Sequence, residues 1–267
     1  NVNLVFVALE LHKVLAAGLV GYSVILAIAR QRHDALQWRT ALVLALAILA
    51  CMGVAMLPSM FTSFRIASSI LSEALNAVGL ALVVSLGVLP LVVFTYVSGE
   101  SLAAERNLRL VDGVPDSTRG RLTPELAIGA GVGAAVGLIL AALEAYGTFL
   151  SQRVFGVMPD PTLSSMFRWS APYNELALML PMAVLMAVAG CYIQSLLWRW
   201  KQSVLLVVFV PALLLTGMMI GVDDVSYANK LVGFLALLAM TFVTWRYGLI
   251  AGTLTFFVSE AVIPLTL

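Results

Sequence analysis

The sequence predicts an all-α protein, a polytopic helical membrane bundle of about eight transmembrane helices forming one domain over residues 1–267. Three observations predict it. Hydrophobic residues make up 61% of the chain and charged residues 11%, and the mean hydropathy is +1.02, well above what a water-soluble domain of this size tolerates. The apolar residues gather into runs of about 20, the length that crosses roughly 30 Å of hydrocarbon. Basic residues collect between alternate runs, as they do in loops on one face of a membrane. No unpaired backbone edge survives in lipid, so the runs are helices.

The predicted spans cover 3–29, 41–61, 67–98, 126–149, 174–197, 203–222, 230–246 and 247–267. The first carries Glu10, His12 and Lys13 in its outer half and has neither a basic leader nor a small-residue cleavage site, so it is not read as a signal peptide. The chain starts at Asn1 and stops inside an apolar run, and the native protein is expected to extend beyond both ends. The second and fifth spans each hold one cysteine, Cys51 and Cys191, at different depths. They read as buried small hydrophobes rather than a disulfide. The fourth span opens with GAGVGAAVG, which sets Gly129, Gly133 and Gly137 on one helical face. Such a ridge lets another backbone approach closely, within the chain or from another subunit. The last two spans are divided at Arg246 and Gly248, because one helix over 230–267 would be about 55 Å long.

Two loops are long enough to have a character of their own. The inner loop, 99–125, begins with a helix-compatible stretch and then breaks at Gly113, Pro115 and Gly120. The outer loop, 151–174, alternates apolar and polar residues around three prolines and offers Phe167, Trp169 and Tyr173 to the headgroup boundary.

Orientation follows from the basic residues. Arg30, Arg32, Arg39, Arg106, Arg109, Arg119, Arg121, Arg199, Lys201 and Arg246 fall on one side, against Arg65, Arg153, Arg168 and Lys230 on the other. The richer side is predicted to be cytoplasmic, with both termini outside, in a bacterial inner membrane. A net charge of +1 carries no nucleic-acid footprint.

Charges inside spans are costly and usually face a bundle interior, a cavity or one another. Counting about 1.5 Å per residue places Glu10, Glu73, Glu144 and Glu260 in the outer third of the membrane, with Glu175 at the outer end of the fifth span. His12, Lys13 and Asn76 join them. Carboxylates with an imidazole suit proton transfer or metal binding, and His12 alone could ligate a porphyrin-type metal through its ring nitrogen. No pair among them has a motif spacing such as H-E-x-x-H. The layer is therefore read as mutually satisfied polar residues, and neither catalytic nor metal-ligating residues are assigned.

Three segments resemble the CAAX-protease and bacteriocin-processing family of intramembrane proteases, also called the abortive-infection family. They are YVSGESLAAER at 96–106, LLWRWK at the end of the fifth span, and RYGLIAGTLTFFVSEAVIP at 246–264. The resemblance implies a helical membrane fold and a catalytic last helix. This sequence departs from the family at the positions that matter: Phe256 stands where the last motif has its histidine and Glu260 where it has Asn or Asp, and no Glu-Glu pair occurs. The family's chemistry is thus not expected.

The expected function is a non-catalytic accessory or scaffold subunit of a larger membrane complex, with a respiratory or photosynthetic assembly as the kind of host it suits. The glycine ridge and the aromatic loop motivate this reading. Expected partners are the lipid bilayer and other membrane subunits, and no cofactor is specified, although a bound lipid or pigment is compatible. The alternatives are a divergent CAAX-protease-like protein and a secondary transporter with helices broken at Pro90, Pro181 and Pro211.

Overall fold

The computed structural model of the chain describes residues 4–31, 37–63, 70–106, 108, 110, 114, 123–155, 171–220 and 227–266. Side chains are described for 14, 15, 17–31, 37–53, 87–106, 108, 110, 114, 123–143, 145, 146, 179–216 and 233–261. Among the described residues the regular structure is helical throughout: α1 (Leu4–Arg30), α2 (Trp38–Ser63), α3 (Ile70–Glu105), α4 (Pro124–Phe155), α5 (Ala171–Trp200), α6 (Val204–Ile220), α7 (Tyr227–Tyr247) and α8 (Leu249–Thr266). Three stretches, Gly87–Glu105, Pro124–Leu143 and Met179–Trp200, are long and apolar enough to cross a membrane, and shorter apolar helices accompany them. This is consistent with an integral membrane protein.

Several helices outrun their apolar cores. α3 has 36 residues, about 54 Å, and continues seven residues past the predicted end of its span at position 98. Hydrophobicity selects what lies in oil, but the helical hydrogen-bond ladder does not stop at the lipid boundary, and Ala103 and Ala104 favour its continuation. The end is closed by Arg106 N–H and Leu108 N–H, both donating to the Ala103 carbonyl at 3.1 and 2.9 Å. The first part of the predicted inner loop is therefore helix. α5 begins at Ala171, so Glu175 lies inside the helix rather than at its cap. The predicted outer loop likewise loses residues 151–155 to α4, and 156–170 lie outside the described residues.

α4 starts where local chemistry says it should. The Thr123 hydroxyl accepts from Leu126 N–H at 3.3 Å, Pro124 takes the first helical position, and Glu125 sits in the first turn. At the other end of the chain, α7 and α8 meet at Gly248, whose φ of 91° lies in the left-handed region that a side chain disfavours. The predicted tight hairpin is thus one residue wide. A Cβ at Gly252 would collide with the Thr244 hydroxyl oxygen, which shows how closely the two helices pack beyond the turn.

α5 is the hub. It packs against α2, α3, α6, α7 and α8, while α1 lies mainly on α3 and α4 lies mainly on α8. One core cluster joins Val92, Tyr96 and Val97 of α3 to Ala45 and Ile48 of α2 and to Ala187, Val188 and Cys191 of α5. A second joins Met186, Leu215, Leu237, Met240 and Phe256. Four buried hydroxyls are satisfied within their own helices: Ser195, Thr216, Thr244 and Thr255 each donate to the carbonyl four residues back, at 2.7–2.9 Å.

Candidate functional site

The glycine ridge of α4 lies against α8. A Cβ at Gly129 would come within 3.2 Å of the Tyr247 carbonyl, one at Gly133 would fall on the Ala251 carbonyl, and one at Gly137 would come within 2.8 Å of the Thr255 carbonyl. The last residue of α7 and the first two turns of α8 thus present their carbonyls to three successive glycines, so this seam is an internal joint of the bundle.

Of the outer polar layer, only Glu260 has a described side chain, and it stands half-buried on α8. The side chains of Glu10, His12, Lys13, Glu73, Asn76, Glu144 and Glu175 lie outside the described residues, as do those of Phe167, Trp169 and Tyr173. Among the described residues no group of three or more His, Cys, Asp or Glu could hold a metal ion.

The structure assembles a different polar site, at the end of the bundle that carries Arg30, Arg106, Arg199 and Arg246. Its frame is the meeting of α1, α3 and α5. Gly99 lets α3 approach α5 so closely that a Cβ there would be 3.2 Å from the Tyr192 Cα. α1 is then fastened across both helices. Ser98 donates to the Ser23 carbonyl at 2.7 Å, the Tyr192 hydroxyl donates to the Leu19 carbonyl at 3.2 Å, and the Arg30 guanidinium reaches Ser101 at 2.7 Å and Glu105 at 2.5 Å. The Leu110 carbonyl caps the site from the loop side. It accepts the Leu249 N–H at 2.7 Å, meeting a donor that the start of α8 leaves open, and the Cys191 thiol at 3.8 Å.

Inside that frame, Tyr96 and Glu100 lie one helical turn apart on the same face of α3. Tyr96 is 2% exposed, and the Glu100 carboxyl and the Cys191 sulfur are both close enough to act on its hydroxyl electrostatically. The Glu100 carboxyl accepts the Gln37 backbone N–H. Its Oε2 and the Tyr96 hydroxyl are buried and, among the described residues, have no hydrogen-bond partner. Gln194 Oε1 shares that condition on another face of α5, where its amide nitrogen donates to the Thr241 carbonyl at 2.7 Å. A buried polar atom without a partner typically costs about 1–3 kcal/mol, so two of them one turn apart on α3 single out this corner of the bundle.

No protein-family model, curated protein or solved structure matches the chain. The site therefore stands on its own chemistry. A carboxylate oxygen and a phenolic hydroxyl on one helix face can accept hydrogen bonds or face a positive charge. Two oxygens are too few for a calcium site, which takes six to eight.

The sequence reading passed over Tyr96 and Glu100 because it weighed carboxylates by depth in the apolar runs, and Glu100 falls just past one. The available signal was the Y-x-x-x-E spacing within a helix-compatible stretch that continues an apolar span. That spacing puts both groups on one face, but it does not reveal that Gln37, Cys191 and Leu110 close around them.

Proposed function

We propose that this chain is a carrier-like integral membrane protein that binds a small ammonium-bearing solute between Tyr96 and Glu100. The observation that carries the reading is the pair of buried oxygens, Tyr96 Oη and Glu100 Oε2, with no partner among the described residues. An ammonium group supplies donors to both oxygens, neutralises the carboxylate, and gains from lying near an aromatic ring. Interior prolines support movement around such a site, since Pro90, Pro181 and Pro211 interrupt the hydrogen-bond ladders of α3, α5 and α6, and α5 packs against the other two. In this reading all eight helices cross the membrane, with the basic end toward the cytoplasm.

The accessory-subunit reading is the alternative. Of the two features that motivate it, the glycine ridge is covered within the bundle, chiefly by α8, and the aromatic residues of the outer loop lie outside those whose side chains are described. The experiment that separates the two is a thermal-shift titration of the purified protein in lipid nanodiscs with ethylammonium chloride against sodium chloride, in wild type, Tyr96→Phe and Glu100→Gln. The carrier reading expects an ethylammonium-dependent rise in melting temperature that Glu100→Gln abolishes and Tyr96→Phe weakens. Equal shifts in all three proteins, together with stoichiometric co-purification of other membrane subunits, would favour the accessory reading.

A further inference from the structure

We infer that a groove between α6 and α7 holds an anionic phospholipid, with one acyl chain in the groove and the headgroup phosphate between Lys201 and Arg246. The groove has a volume of about 650 Å³ and an apolar lining that includes Leu205, Val208 and Phe209 of α6 and Leu235, Ala239 and Phe242 of α7. The α7 residues sit at offsets of four and seven, which places them on one stripe of the helix. Extending the stripe by four residues reaches Arg246, so the apolar track ends in a guanidinium. On the α6 side, the helix begins at Val204, and Lys201 stands just ahead of it in the short link from α5.

Both cations are exposed, and among the described residues neither side chain has a carboxylate or hydrogen-bond partner. The groove faces outward: Leu205 is 73% exposed and Phe242 is 51% exposed. On the proposed reading that all eight helices cross the membrane, α6 and α7 lie in hydrocarbon, so a chain-shaped apolar occupant suits the groove. Two exposed cations at one end select an occupant with a net negative head. A transmembrane helix lying along the groove would carry its apolar surface past the mouth and bury both charges unpaired, which is costly. The phospholipid satisfies both parts of the surface, and the inference is independent of any solute at Tyr96 and Glu100.

The test is native mass spectrometry of the full chain, delipidated in a mild detergent and titrated with phosphatidylglycerol or with phosphatidylcholine of the same acyl chains. Wild type should prefer phosphatidylglycerol by roughly thirtyfold for two basic residues acting together. Lys201→Gln with Arg246→Gln should bring the two lipids to parity, and Ala239→Trp should reduce the binding of both by filling the groove. Circular dichroism and gel filtration confirm that each variant is folded. Absence of a lipid preference in wild type overturns the inference, as does a preference that survives the double charge substitution. An Ala239→Trp variant that keeps its lipid but changes its self-association also overturns it, assigning the groove to a protein helix.

Discussion

The seam between α4 and α8 and the corner around Tyr96 are both places where helices come unusually close, and they use that closeness in opposite ways. At the seam, Gly129, Gly133 and Gly137 remove side chains so that backbone meets backbone. At the corner, Gly99 removes a side chain so that α3 reaches Tyr192, but the neighbouring turns then carry Tyr96 and Glu100 into the interior. The seam yields dispersion contact over three turns. The corner gives some of that up to hold polar groups in place. Close packing by itself therefore does not distinguish a joint from a candidate site; the unpartnered atoms beside it do.

The largest effect expected is at the seam. Gly133→Ala puts a methyl onto the Ala251 carbonyl, which cannot swing away, and should destabilise by about 1–3 kcal/mol. Its control is Gly131→Ala, two residues along the same helix, where nothing lies within 4 Å. That change should be neutral or slightly stabilising, as replacing an interior helical glycine usually is. Thermal melting of the two variants in one detergent breaks the comparison if they melt together. Next in size is the α7–α8 joint. Gly248→Ala forces a side chain into the left-handed region and should cost about 1–2 kcal/mol, read as an earlier unfolding transition monitored by tryptophan fluorescence.

The corner should respond with the opposite sign. Tyr96→Phe removes a buried hydroxyl that has no described partner and should raise the stability of the ligand-free protein by about 1 kcal/mol. A loss of stability on that substitution would mean that the hydroxyl is already satisfied, and it would remove the main support for a binding site there. The smallest effect belongs to the clamp from Arg30 to Glu105, whose side chains are 18% and 39% exposed. A double-mutant cycle with Arg30→Gln and Glu105→Gln should return a coupling below about 1 kcal/mol. It should shrink further at high salt. A larger, salt-insensitive coupling would make the clamp part of the core rather than its rim.

The helices among the described residues were legible because the hydrophobicity of a run is a local property. Any run of about 20 apolar residues answers to it wherever the run sits in the fold. Helix ends were less legible, as the continuation of α3 to Glu105 shows, because backbone hydrogen bonding persists where hydrophobicity fades. The turn at Gly248 was readable from an arginine and a glycine dividing a stretch too long for one crossing. The corner was not readable. Tyr96 and Glu100 look like ordinary residues at the end of a span until Gln37, Leu110 and Cys191, from three other parts of the chain, surround them.

By itself, then, the order of residues determined the all-helical class, apolar runs long enough to cross a membrane, and a ridge on α4 able to accept a backbone, since each depends on a side chain's transfer energy or size within a single segment. Only the tertiary structure decided that α8 fills the ridge, that α5 is the hub, and that two polar oxygens are shut in without partners among the described residues. Those outcomes depend on which helix faces meet, and that is a property of pairs of segments distant in sequence that no single segment encodes.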